Sequence, residues 1–490
     1  MIFTGLEFWV FFLVIFPLFA LLYKKSTARN AYLALVSFYF YYKTSGSFII
    51  LLVFTILLGF FAGKYIYQSN SKQRKQLILG ISVGLLLFFL FFFKYAYLFI
   101  DTINAVAGTD LHVHNYFADW GNMLWPKGGF NPDVIILPVG ISFFTFQIIT
   151  YVGDIYRKQL KPISSLTDFA FYVSFFPQLV AGPIVRAREF LPQLKNTNPI
   201  SKAEFSLAVY MILKGLFKKL FIGDYMAVNF IDRVFDNPMM YTGTENLVAV
   251  FAYSLQVYVD FSGYTDIAIG LSQLMGFKLS PNFNSPYKAI NVSDFWRRWH
   301  ISLSGFLRDY LYIPLGGNRK SENRTQLNLM ITMLLGGLWH GASWNFVIWG
   351  GLNGAGLMVY KFWKKISPYE KLTNWWVRPW KILVTFTFIT LTRVFFRSPD
   401  MEIVGQWTTQ VFQNFSISIL PEFIIGFYKV WLVMGLGFLL HWLPNSFKNK
   451  LLNYFSNSPM WWQAIMSAII VLIIYQSLSA EMQPFIYFQF

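Results

Sequence analysis

Long apolar runs separated by short basic clusters constrain this chain more than any other feature. Residues 77–100, LILGISVGLLLFFLFFFKYAYLFI, are long enough to cross a bilayer's hydrocarbon core, which takes about 20 residues of helix. Two further runs, 8–23 and 48–67, are followed by Lys24, Lys25 and Arg29 and by Lys72, Arg74 and Lys75. Basic clusters at the ends of apolar runs face the cytoplasm. Both clusters can do so only if the short stretch 31–42 also crosses, as a short or tilted span. The N-terminus has no basic n-region and no small-residue cleavage site, so a retained first span is expected rather than a signal peptide.

Composition agrees with this patterning. Hydrophobic residues make up 56% of the 490 residues and charged residues 13%, too little polar surface for soluble domains. The chain therefore reads as a single membrane-embedded domain spanning 1–490, an all-α, polytopic helical bundle in the cytoplasmic membrane. About eleven to thirteen membrane segments are expected, re-entrant helices included. The net charge of +17 comes from clusters between apolar runs, a topology signal that argues against nucleic acid as a partner and for membrane lipid. With no cysteine, disulfides, thiolate metal sites and a cysteine nucleophile are excluded.

Residues 101–131 hold Asp101, Asp110 and Asp119 against Lys127 and read as an external loop; His112 and His114 within it lack further ligands, so no metal is expected. The chain returns through 134–156 to Arg157, Lys158 and Lys161. Residues 169–189 carry Pro177, Gly182 and Pro183 between two basic flanks, which predicts a segment that enters and turns back along a cavity wall. Residues 203–224, with Lys214, Lys218 and Lys219, look partly interfacial. A long helix over 246–275 contains Asp260 and Asp266, which either pair with an arginine to hold helices together or touch substrate. Later spans are expected at 344–362, 380–396, 424–443 and 461–477. His441 reads as an interfacial or core histidine.

The densest chemistry lies between Asp294 and His340. A continuous helix over 294–310 would put Arg297, His300, Ser304 and Arg308 on one stripe, at offsets of 3, 7 and 11. Such a stripe suits a polyanion; charge alone equally allows Arg297, Arg298 and Arg308 to snorkel to lipid headgroups. Pro314 and the glycines of 313–324 predict a cytoplasmic loop bearing Arg319, Lys320 and Arg324. A helix rising from Leu327 carries His340 about 20 Å into a core roughly 30 Å thick. At that depth a neutral imidazole can serve as a base or, equally, hydrogen-bond a neighbouring helix. This distance predicts that His300 and His340 act at different depths rather than as one adjacent pair.

FFPQLVAGPI (175–184), VDFSGYTDIAIG (259–270), DFWRRWHISLSGFLRDYLYIPLGGN (294–318), LLGGLWHGASWNFVIWG (334–350) and the terminal FIYFQF together resemble the membrane-bound O-acyltransferases, in particular their alginate O-acetyltransferase-like branch. The resemblance implies a membrane O-acetyltransferase that O-acetylates an exported cell-surface polysaccharide. His340 and His300 would be its catalytic residues, with His340 the base. Arg297, Arg298, Ser304, Arg308 and Arg319 would bind the donor, acetyl-CoA, with no tightly bound cofactor. Asp260, Asp266, Trp344 and Asn345 would be acceptor-side or structural polar groups. The family's usual extracytoplasmic partner is SGNH-hydrolase-like. Two alternatives stand beside this: a D-alanyl transferase for teichoic acid and a transporter of a polyanion or lipid-linked sugar. Against the transporter, the chain has no detectable internal repeat.

Overall fold

A computed structural model describes residues 1–124, 129–179, 182–372, 374–477 and 485–486. Its described residues form helices and connecting loops, with no strand among them. The axis of the fold is the 32-residue helix Gly243–Leu274, started by a capping box in which Thr242 and Glu245 bond each other's backbone N–H. It is buried along most of its length, packing against Lys202–Leu216, Val377–Arg397 and Met401–Gln413. Helices Ser26–Ser45, Ile49–Gln68, Lys72–Ala107, Ile141–Tyr156 and Leu166–Ser174 form a second group. Glu322–His340 and Trp344–Ile366 pack as a hairpin.

Among the described residues, four helical stretches are long and apolar enough on their own to cross a membrane: Ser26–Gln68, Lys72–Ala107, Val377–Arg397 and Met460–Ser477. The bent pair Ile417–Gly426 and Tyr428–Trp442, which meet at 93°, makes a fifth if taken as one span. The remaining helices owe their burial to protein contacts and are shorter or more polar. Ile141–Tyr156 has only 16 residues, because Gly140 adopts a left-handed conformation (φ 75°) and delays the start expected near residue 134.

Residues 169–189 do turn back. Helix Leu166–Ser174 breaks at Phe175 and is followed by the short helix Phe176–Leu179, all buried. Tyr172 then donates from its hydroxyl to the carbonyl of Val185 at 2.8 Å, tying the outgoing limb to the incoming one. Val180 and Ala181 of the FFPQLVAGPI block lie outside the described residues, as do Lys127 and most of the terminal FIYFQF.

The lysines of 203–224, the stretch expected to be partly interfacial, prove to be paired with acids inside the fold. Helix Lys202–Leu216 runs on into a π-helical stretch, Phe217–Asp224, and its lysines turn inward toward Gly243–Leu274. Lys219 is 3% exposed and bridges Asp224, at 2.8 Å, and Asp260. Lys214 and Lys218 reach Asp266 at 3.1 and 2.8 Å. Buried charges persist only when paired, and the acids that pair them sit on the neighbouring helix, beyond the reach of a local pattern.

Candidate active site

His300 sits at a break in what the sequence presents as one helix. Val292–Arg298 ends at Trp299, and Ile301–Leu307 begins after His300, which takes a left-handed conformation (φ 44°, ψ 57°). A non-glycine residue in that region costs about 1–3 kcal/mol and persists only where its surroundings hold it. Asn282 does so here. Its carboxamide oxygen accepts from the Ser302 backbone N–H and hydroxyl, both at 3.0 Å, and lies 3.3 Å from His300 Nδ1. The Asn282 carbonyl accepts from the Ile301 N–H at 3.0 Å. The Ser302 hydroxyl in turn accepts from the Ile184 N–H at 3.0 Å, joining the kink to the re-entrant segment.

The kink dissolves the predicted stripe. His300 is fully buried against the ring of Phe261, whereas Arg297 and Arg308 are exposed. Arg298 pairs with Asp294 at 2.9 Å, and Arg308 with Asp309, which also holds Arg186 at 2.7 Å. The Ser304 hydroxyl lies 3.4 Å from the carbonyl of Trp299, and Arg319 is exposed in the loop before Glu322–His340.

His340 is the last residue of helix Glu322–His340, which starts at Glu322 rather than Leu327. Two close approaches set its position. A Cβ on Gly337 would lie 2.3 Å from the carbonyl oxygen of Phe346, and one on Gly341 would lie 2.1 Å from the Phe346 ring. Only glycine lets the hairpin partner Trp344–Ile366 come this near. Asn345 donates from its side chain to the Ser398 carbonyl at 3.0 Å, and the half-exposed Trp344 donates from its indole N–H to Thr102 at 3.0 Å. Both fix the chain just beyond the histidine.

The two histidines are neighbours, contrary to the expected separation in depth. Their ring centroids lie 6.4 Å apart, and Trp339 contacts both, at 5.7 Å from His300 and 5.1 Å from His340. Trp349 and Phe396 wall the other side of His340, at 5.1 and 5.2 Å. Distance along the sequence misleads here because the chain reverses between 308 and 322, so the helix bearing His340 runs back toward His300.

A cavity of about 390 Å³ reaches Asn282, the neighbour of His300, but neither His300 nor His340 is among its lining residues. Lys214, Lys218, Asp266, Asn282, His441 and Lys448 line it. Asn282 therefore faces the cavity from the same residue that holds the His300 kink. His441 is 3% exposed, packs on Tyr258 and Tyr287 at 4.7 and 5.1 Å, and has neither ring nitrogen hydrogen-bonded within the described residues. Asp266 thus combines a helix-linking ion pair with a place on the cavity wall. Asp260 lies deeper, where its carboxylate also accepts from the Ile486 N–H at 3.0 Å. Both acids pair with lysines rather than with an arginine.

Asn282, Lys214, Lys218 and Lys448 are not legible from the sequence as residues lining one cavity. The available signal was Lys214 and Lys218 four residues apart on one helix face, facing acids at 260 and 266. In the 101–131 region helix Lys72–Ala107 continues past residue 100, and His114 contacts Asp119 at 2.6 Å. Among the described residues no group of three or more His, Cys, Asp or Glu could hold a metal.

A family model described as "MBOAT, membrane-bound O-acyltransferase family" matches residues 155–396. A peptidoglycan O-acetyltransferase of Helicobacter pylori is 39% identical over 407 residues, covering 77% of this chain and 73% of that protein. A probable alginate O-acetylase of Pseudomonas putida is 33% identical over 508 aligned residues, covering 98% of this chain and 99% of the relative. A teichoic acid D-alanyltransferase of Bacillus subtilis is 29% identical over 286 residues, 55% of this chain and 71% of its own.

Proposed function

This chain belongs to the membrane-bound O-acyltransferase family, and we propose that it moves acetyl groups from cytoplasmic acetyl-CoA to an extracytoplasmic acceptor, for O-acetylation of a cell-envelope polysaccharide, with His340 as the base. It is a membrane acyltransferase of the type that acetylates polysaccharide or peptidoglycan. The observation that carries the finer reading is the adjacency of His340 and His300, with Asn282 linking His300 to a lysine-lined cavity.

The chemistry follows from that arrangement. An acceptor hydroxyl attacks the thioester carbonyl carbon while His340 takes its proton; the C–S bond breaks, and the proton passes to the departing thiolate, leaving an ester and free thiol. General-base catalysis of this kind contributes typically 10²–10⁴-fold. His300, locked by Asn282 and stacked edge-on to Trp339, holds the wall next to the reacting groups. The donor's phosphates suit Lys214, Lys218 and Lys448 better than the exposed Arg297, Arg308 and Arg319, because ammonium groups facing one cavity act together on one anion. An SGNH-hydrolase-like partner outside the membrane would complete transfer to the glycan.

The test is acetyl transfer from labelled acetyl-CoA in proteoliposomes. His340→Gln should abolish transfer at unchanged protein abundance; transfer at the parent rate would overturn the assignment. The D-alanyl reading has support in the similarity to the Bacillus subtilis protein. Labelling from an aminoacyl carrier protein, with none from acetyl-CoA, would favour it. The polyanion-transporter reading gives way to the acyltransferase.

A further inference from the structure

We propose that Lys94 and Tyr95 are positioning residues that fix the backbone carrying His340. The proposal rests on the reading of His340 as the base. Helix Glu322–His340 ends at His340 because Gly341 is extended (φ −161°, ψ 154°), and the last four carbonyls of any helix lack intrahelical donors. Three of these four are bonded from a single neighbouring helix, Lys72–Ala107. The Tyr95 hydroxyl donates to the Leu338 carbonyl at 3.0 Å. Lys94 Nζ donates to the carbonyls of Trp339 at 2.6 Å and His340 at 3.2 Å. Eight residues on, Thr102 accepts from the indole of Trp344 at 3.0 Å, so the same helix holds the chain on both sides of His340.

Lys94 is otherwise hard to account for. It lies in the interior of a 36-residue, largely apolar helix, where an ionisable group is expensive and marks function by default. Its partners among the described residues are backbone carbonyls and the face of Trp339, 5.9 Å away, rather than a carboxylate. A cation at a helix C-terminus meets the negative end of the helix dipole, and charge-assisted bonds in a water-poor setting hold direction strongly. Pinning three consecutive carbonyls fixes the turn from which the His340 ring projects, and through Trp339 it also fixes the surface shared with His300. A catalytic group displaced by about 1 Å loses roughly a hundredfold in rate.

The experiment uses the full chain in lipid nanodiscs, labelled with ¹⁵N-histidine. The sequence has five histidines, so the His340 signal is assigned by its loss in His340→Gln. Lys94→Met should lower kcat about a hundredfold with KM for acetyl-CoA changed by less than about twofold, the pattern of a lost transition-state contribution. The His340 signal should shift while those of His112 and His114 stay, and Lys94→Arg, which keeps the cation, should restore most of both. A Lys94→Met protein whose His340 signal matches the parent overturns the proposal, whatever its activity. A shifted signal in a protein whose parent form does not use acetyl-CoA supports the positioning role and overturns only the donor reading.

Discussion

Replacing Asn282 with alanine tests how far the site depends on its kink. The Asn282 carboxamide oxygen accepts two hydrogen bonds from Ser302 and lies 3.3 Å from His300 Nδ1, and Asn282 is 1% exposed. Truncation leaves the Ser302 N–H without this acceptor in a buried setting, at a cost of about 1–3 kcal/mol. His300 stores strain of similar size, about 1–3 kcal/mol, in its left-handed backbone. Removing the restraint therefore lets the segment relax toward a continuous helix, which would swing the His300 ring away from His340. We expect Asn282→Ala to reduce acetyl transfer at least tenfold, since about 1.4 kcal/mol corresponds to that factor. Transfer from labelled acetyl-CoA in proteoliposomes, set against the melting temperature in detergent, separates loss of geometry from loss of fold. Parent-level turnover with a folded protein would refute the claim that the kink builds the site.

Two further outcomes follow from the ion pairs and the cavity. Lys219→Met strands Asp224 and Asp260 in the interior and should destabilise the protein by about 3–5 kcal/mol, whereas combining it with Asp224→Asn and Asp260→Asn should recover most of the loss; thermal unfolding of the two proteins checks this, and equal melting temperatures would contradict it. Lys218→Ala and Lys448→Ala should each raise KM for acetyl-CoA about tenfold, the effect of losing roughly 1.5 kcal/mol of charge-assisted bonding. Arg297→Gln, Arg308→Gln and Arg319→Gln should leave KM near the parent value in the same steady-state assay; the opposite pattern would return the donor to the arginines.

The apolar run 77–100 shows how much could be read in advance. The 77–100 run gives its helix because side-chain hydropathy acts locally, and the structure only lengthens it to Lys72–Ala107. The same local logic located Gly243–Leu274 and the turn-back at 169–189. Blocks such as DFWRRWHISLSG likewise carry the family, and with it His300 and His340 as candidates, without any knowledge of their arrangement.

Sequence alone therefore determined the helical membrane class and the family and nominated the two histidines as candidates, because these depend on residue type and short-range order. Tertiary structure decided where those groups meet. One left-handed residue at His300 breaks a helix that periodicity draws as continuous, and a chain reversal before Glu322 returns His340 to its side. Lysines that look interfacial find acids on a helix some forty residues away, while Lys94 reaches across 245 residues to the carbonyl of Trp339. Such contacts join segments whose separation along the chain carries no information about their separation in space, so only the packed fold could bring them together.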